Sequence, residues 1–320
     1  MNRIISLLLL LAVAVLMGCA KEQQPPLRIG TNIWPGYEPL YLARELNYFE
    51  RADAKLVEFT STSEVMRAFQ NGTIDAAGLT LDEALQLLSI GADIKIVLVM
   101  DVSHGADVIL AQPGIKSVKE LKNGRVGYEA TAVGAYMLSR ALQLASLKPA
   151  DIHTVSVELD GHESAFISRK VDAIVTFDPV KAKLLAAGAV KVFDSSQIPG
   201  EIVDVLVVRG IAAKNGPEQL RKILKSWFRA LEYLNNNKVQ AAQIMAVREG
   251  VSSEGFLESL HGLRFPDQNE NNRMLAGDTP SLLAAAQSLA ATMATTGLIH
   301  QIPVARTALD GSYLRGGGPQ

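Results

Sequence analysis

Two periods of apolar residues take turns along the first two-thirds of the chain, and they predict strands and helices in alternation. Leu27, Ile29 and the positions up to Ile33 predict a short strand. Trp34-Pro35-Gly36 breaks it, and Leu40, Leu42, Ala43 and Leu46 then mark one face of a helix. A strand over 54–59 follows, then a helix that Ser61 and Ser63 offer to cap, with Val65, Met66 and Phe69 on its apolar face and Asn71-Gly72 at its end. The spacing predicts a strand over 74–79 closed by Thr80, a helix over 81–90, and a continuous apolar run over 94–100 suited to a strand buried on both faces. This βαβαβαβ order implies a parallel sheet covered by helices.

The pattern then restarts. Strands are predicted at 107–111, 125–128, 153–157, 171–175 and 190–193, with a short helix at 117–121 and helices near Ser164 and Leu184. A further helix is expected to be capped by Thr131, with Val133, Met137, Ala141 and Leu144 on one face. Phe69 followed by Ile74-Asp75-Ala76 has the spacing of Phe166 followed by Val171-Asp172-Ala173, which points to two similarly built α/β lobes. A last strand at 203–208 is placed to cross back to the first lobe. The helices predicted at 219–234, 239–247, 253–260 and 281–295, broken at Asn235-Asn236-Asn237, would pack on that lobe, and the glycine-rich tail 310–320 is expected to be flexible.

Composition narrows the function. The chain has 320 residues, 48% of them hydrophobic, with 31 Lys+Arg against 33 Asp+Glu. That length holds two cores, and the balance leaves no electrostatic footprint for nucleic acid. Arg3 precedes an apolar run over 4–17 that is shorter than the roughly 20 residues of a membrane span, so 1–18 reads as a signal peptide. Leu16-Met17-Gly18-Cys19 resembles the lipobox of bacterial lipoproteins, and Cys19 is the only cysteine, so an internal disulfide and a thiolate metal site are excluded. The expected product is exported and lipid-anchored at Cys19 to the cell-envelope membrane, with 19–26 as a tether.

Taken in order, Cys19 after its signal, the Trp34-Pro35-Gly36 turn, the 71–76 step, the 127–134 turn and Val171-Asp172-Ala173 resemble the nitrate/sulfonate/bicarbonate class of ABC-transporter substrate-binding proteins. That class includes pyrimidine-precursor binders related to thiamine-pyrimidine synthases. The resemblance covers 27–209 well and the helical remainder loosely. It implies a two-lobe type II periplasmic-binding fold with two crossover segments as hinge and one ligand closed between the lobes. Lobe 1 would comprise 27–103 and 205–309, and lobe 2 residues 104–204. The implied partners are a small-molecule ligand and an ABC permease, the protein acting as a monomer.

Open α/β sheets bind ligands at the carboxyl ends of their strands, and Trp34 and Tyr37 stand at the first of these. The other segments so placed are 79–83, 100–107, 128–134, 176–179 and 199–206. None carries Lys or Arg, yet together they carry Asp82, Glu83, Asp101, Asp107, Glu129, Asp178, Glu201 and Asp204. Trp34, Tyr37, Thr80, Asp82, Ser103, Glu129, Thr131, Asp178 and Asp204 are the candidate ligand contacts. The helix start after Thr131 suits an anion, but Glu129 beside it would repel one by roughly 4 kcal/mol at about 4 Å and an effective dielectric near 20. An amine, an amino-heterocycle or a zwitterion fits better, with Trp34 and Tyr37 stacking on it. The alternatives are a sulfonate- or nitrate-type anion, and a sensing role beside a membrane signalling receptor in place of import. Asp160-Gly161-His162-Glu163 reads as a solvated turn, the five histidines lack metal spacing, and there is no nucleophile motif. The synthase relatives need cysteine and histidine chemistry, and here the one cysteine is used in lipidation. No enzyme activity, cofactor or metal is expected.

Overall fold

The structure, a computed structural model, describes residues 24–131 and 133–315. The predicted signal peptide and Cys19 lie outside the described residues. In the first series, β1 (Leu27–Thr31), α1 (Glu38–Glu45), β2 (Ala54–Glu58), α2 (Thr62–Gln70), β3 (Ala76–Thr80), α3 (Leu81–Ser89) and β4 (Ile94–Ser103) follow one another as the pattern predicts. The second series runs β5 (Val108–Ala111), β6 (Arg125–Tyr128), α4 (Val133–Leu144), β7 (His153–Ser156), α5 (His162–Ile167), β8 (Ala173–Thr176), α6 (Val180–Ala186) and β9 (Val190–Asp194). Then come β10 (Val203–Arg209), α7 (Gly210–Asn215), α8 (Pro217–Asn236), α9 (Lys238–Glu249), α10 (Ser253–Ser259), β11 (Leu263–Arg264), α11 (Gln268–Leu275) and α12 (Leu282–Thr295).

Hydrogen bonding sorts these strands into two sheets, ordered β11-β4-β10-β3-β1-β2 and β7-β6-β8-β5-β9. In each, a strand arriving from the other lobe, β10 or β5, is inserted antiparallel beside the third strand of the local series. This is the expected two-lobe type II arrangement. Its crossings are 104–107 and 195–202, joined side by side where the Ser195 N–H donates to the Asp107 carbonyl and the Gly105 N–H to the Ser195 hydroxyl.

The repeat runs deeper than the apolar echo. Asp75 accepts from the backbone N–H and the guanidinium of Arg28, and Asp172 does the same for Arg125, with 47 positions between the partners in both lobes. Each guanidinium also reaches a carbonyl in the turn before the aspartate, that of Gly72 or Arg169, and both turn residues have positive φ. The glycines Gly30 and Gly127 sit alike too, since a Cβ at either would meet the Ile74 or Ile174 side chain closer than van der Waals contact allows.

The main core lies under lobe 1. β4 and β10 are buried along nearly their whole length, as a central strand covered on both faces must be. The C-terminal helices cover this lobe as expected: Leu42 and Ala43 of α1 pack with Ala230 and Leu234 of α8 and with Met245 of α9. Asn271 of α11, wholly buried, accepts from the Val99 N–H and donates to the Val99 carbonyl, satisfying a stretch of β4. The expectation of a flexible tail from 310 fails for its first residues. The Ile96 N–H donates to the Ala308 carbonyl and the Asp310 N–H to the Ile96 carbonyl, either side of Leu309, Tyr313 Oη donates to the Ala213 carbonyl, and Leu314 is 3% exposed. The expected helix face at Val133, Met137 and Ala141 is buried, but Leu144 is exposed.

Candidate functional site

The register of the lobe 1 sheet builds the floor of the cleft. Asp204 of β10 stands opposite Thr80 of β3 on one side and Asp101 of β4 on the other. Over this row comes the turn after β1. Gly36 is required there, because a Cβ would overlap the Asp101 carboxylate and the Trp34 indole. The indole Nε1–H donates to Asp101 Oδ2 at 3.1 Å, and the Tyr37 hydroxyl donates to Asp204 Oδ1 at 2.6 Å. From lobe 2, Phe177 meets the Trp34 ring edge to face, with centroids 5.1 Å apart. Trp34, 4% exposed, therefore touches both lobes.

Acids from the strand ends are buried at the cleft. Asp82, Glu83, Asp101, Asp107 and Asp204 are each at most 3% exposed. Among the described residues, both Asp82 oxygens, Asp101 Oδ1, Asp107 Oδ2, Asp204 Oδ2, the Thr80 hydroxyl and Asn32 Oδ1 have no hydrogen-bond partner. Burial pushes the Asp82 and Asp107 carboxyls up to about 6 and that of Asp101 up to about 7. Glu83 is pushed well up by burial and by Asp82 beside it, and Asp204 by burial and by Asp101. Unpartnered buried acceptors are costly, and a group that brings donors or positive charge relieves that cost. The cavity among Trp34, Tyr37, Glu83, Asp107, Phe177 and Asp204 measures about 20 Å³. That is room for about one water molecule. A larger ligand enters only when the lobes part.

Three further contacts hold the lobes together. Glu129, 4% exposed, accepts from both the backbone N–H and the hydroxyl of Ser63 at 2.6 Å, and Thr131 Oγ1 lies 2.5 Å from the Ser63 hydroxyl. Burial raises the Glu129 carboxyl. The first N–H of α4, at Val133, donates to Glu83 Oε1 at 3.0 Å, and Glu83 Oε2 takes the Thr80 N–H at 2.9 Å. Here the expected cap is corrected: Val133 is served by Glu83 from lobe 1, and the Thr131 hydroxyl faces Ser63.

The remaining candidates sit apart from the cavity or at its rim. Ser103 is buried at the end of β4, where its hydroxyl pairs with that of Ser195 and accepts from the Asp107 N–H. Asp178 accepts from the Ala182 N–H in the first turn of α6 and is ion-paired with Lys181 at 2.6 Å, so its carboxylate serves the start of that helix. His162 departs from the solvated turn expected for it. It is 1% exposed, and since a carbonyl only accepts, its Nε2–H donates to Val157 while Nδ1 faces the Thr176 hydroxyl at 3.1 Å. Burial lowers it to about 4.

Sequence reasoning singled out neither Asp101, the central acceptor, nor Phe177 and Ser63. Asp101 was one of eight acids at strand ends, and only the pairing of β4 with β10 sets it apart. Two cations also stand near the rim, Lys181 in the first turn of α6 and Arg248 in the last turn of α9, outside the strand-end segments. Lys181 is held by Asp178, and Arg248 of α9 pairs with Glu38, lies 3.8 Å over the Tyr41 ring and donates to the Asn32 carbonyl.

Comparison with known proteins agrees with this architecture. An Escherichia coli (strain K12) protein named for binding aliphatic sulfonates is 28% identical over 260 residues, 78% of this chain and 81% of that one. The alkanesulfonate-binding protein SsuA of Xanthomonas axonopodis pv. citri, solved bound to MOPS, superposes with a TM-score of 0.76 at 19% identity, covering 89% of this chain and 98% of its own. The same fold also serves catalysis: the desulfurization enzyme DszB superposes with a TM-score of 0.66 at 16% identity, covering 91% of this chain and 98% of that one. The NMT1-like family model matches residues 20–248, well over half of the sequence, and the chain belongs to that family.

Proposed function

We propose that this protein is the solute-binding component of an ABC importer, and that it closes its two lobes on a small organic molecule at the Trp34–Asp101–Asp204 centre. The cleft supports this reading: aromatic rings from both lobes meet over buried acceptors that have no partner. Binding would order the ligand and the lobes together, with 104–107 and 195–202 as the hinge. The acids favour an amine, an amino-heterocycle or a zwitterion, whose N–H groups match Asp101 and Asp204. The second reading, a sulfonate, draws on those relatives that are named for sulfonates, the Escherichia coli protein and SsuA among them, and they back it better. The signal at 1–18 and lipidation at Cys19 belong to the same proposal, since a tethered binder stays near its permease. Loss of labelled palmitate incorporation in Cys19→Ala tests that part.

A thermal-shift screen of the purified protein against amines, pyrimidines, aminosulfonates, alkanesulfonates and nitrate tests the ligand. At 100 times its dissociation constant a ligand stabilises by about 2.7 kcal/mol, a readily measured shift. Stabilisation by an amine, pyrimidine or zwitterion upholds the acidic-cleft reading. Stabilisation by plain alkanesulfonates alone replaces it with the second, and chemical turnover of a bound compound would overturn both.

A further inference from the structure

We propose that Glu83 and Glu129 select the charge of the ligand. The two lobes close by exchanging these carboxylates, each standing where a helix start would otherwise attract a ligand anion, so a sulfonate or carboxylate enters only by displacing one of them. The inference rests on the reading that the cleft between the lobes is the ligand site.

The first turn of any helix leaves N–H groups without partners inside the helix, and the helix dipole makes that end attractive to negative charge. Two helices of this protein point such ends at the lobe boundary. α2, nine residues long, uses Ser61 to cap Glu64, and the Ser63 N–H goes across the boundary to Glu129 of lobe 2. α4, twelve residues long, sends the Val133 N–H across in the other direction to Glu83 of lobe 1. The exchange is reciprocal: each lobe contributes one buried glutamate and one helix start. Among the described residues, the hydrogen bonds to the two carboxylates come from backbone N–H groups or the Ser63 hydroxyl. An anionic ligand would thus compete with a carboxyl group already in place, and would bring negative charge beside Asp82 and Asp204, both buried. A donor-bearing ligand meets no such competitor, and it can leave both contacts intact while it engages the acids between them.

Two probes with the same alkyl chain and opposite charge separate the cases, propylamine and propanesulfonate, measured by calorimetry on the full chain and on Glu83→Ala/Glu129→Ala. The wild type is expected to prefer the amine. The double variant should gain at least tenfold in propanesulfonate affinity relative to wild type, with no such gain for propylamine. Without ligand, its lobes should also stand further apart, read as a larger radius of gyration by small-angle X-ray scattering. Acrylamide quenching of Trp34 should rise as well, because Trp34 lies at the boundary while Trp227, the other tryptophan, is fully buried in the core. Glu258→Gln, at an exposed position, is the control and should change neither readout. Glu129→Gln alone keeps an acceptor for Ser63 and serves if the double variant folds poorly. The proposal is overturned if the variant scatters and quenches like wild type, or if propanesulfonate binds wild type as well as the variant. If wild type binds no small molecule in any screen, the solute-binding reading has failed and the scattering still decides whether the glutamates close the lobes. If wild type binds a ligand but the variant keeps the same charge preference, only the selection by Glu83 and Glu129 has failed.

Discussion

Raising the pH should weaken this protein, and Asp101→Asn should remove a measurable part of the weakness. Asp101 is fully buried, and burial is the main cause that pushes its carboxyl up to about 7, with Asp107 adding to it against the Trp34 hydrogen bond. In the unfolded chain the same carboxyl titrates near 3.9. A native value above the unfolded one means that the folded protein keeps a proton the unfolded chain has released. The stability from this group is therefore full below about pH 4 and is lost as pH rises through about 7. Roughly three units at about 1.4 kcal/mol each give a total near 4 kcal/mol, of which about 2–3 kcal/mol falls between pH 5 and pH 8. Asparagine cannot ionise, and its carbonyl still accepts from the Trp34 indole. Urea denaturation of both proteins at pH 5 and pH 8 should show the stability gap in favour of the variant widening by about 2–3 kcal/mol. A gap that stays constant or narrows would refute the argument that Asp101 is a buried, unneutralised acid. A bound amine supplies the missing charge, so it should shrink the gap and bind wild type more tightly as the pH rises over the same range.

Gly36→Ala should cost about 1–3 kcal/mol by calorimetry and break the Trp34–Asp101 bond, seen as a change in tryptophan emission, since its Cβ overlaps both side chains. Truncation after Leu309 should lower stability by about 2 kcal/mol through loss of the buried Leu314, whereas a flexible tail would cost nothing. His162, lowered by burial to about 4, stays neutral while the unfolded chain takes up a proton, so stability should fall as pH drops from about 6.5 towards 4. His162→Gln should flatten that acid limb in denaturation curves, and an unchanged limb would count against a buried neutral imidazole.

The sequence made the scaffold legible because local spacing specifies it. Val65, Met66 and Phe69 declare a helix face, and the uninterrupted run from Ile94 declares a strand covered on both sides; the structure has α2 and β4 at those places. The site was legible only as a set of strand ends. Spacing placed Trp34, Tyr37, Asp82, Glu83, Glu129 and Asp204 near the cleft, but which carboxylate faces which donor depends on contacts between residues far apart in the chain. Ser63 and Glu129 are 66 positions apart and Tyr37 and Asp204 are 167 apart. Thr131 illustrates the failure. Its place before an apolar helix face predicts a cap, but a carboxylate from the other lobe takes the Val133 N–H. Leu314 illustrates another, because three glycines after it conceal a side chain that docks.

The internal repeat explains why the fold could be read further than the chemistry. The Arg28–Asp75 and Arg125–Asp172 clamps, with their matched turn carbonyls, tie each lobe's first strand to the turn before its third by the same bonds. These clamps are partly exposed and lie at the strands' amino ends, where they fix register without entering the cleft. At the carboxyl ends the correspondence stops. Where lobe 1 ends its first strand in Asn32 and the Trp34 turn, lobe 2 ends its own in Glu129 and Thr131. Where β3 runs into Thr80 and the α3 acids, β8 runs into Phe177 and Asp178. The two lobes thus face each other with unlike surfaces. One offers an indole, a phenol and a row of acids, and the other a ring and a glutamate. Closure of two identical halves would set like against like and place acid opposite acid. Divergence confined to the strand ends lets Phe177 meet Trp34 and Glu129 meet the Ser63 N–H, so that the same βα scaffold used twice makes one asymmetric cleft.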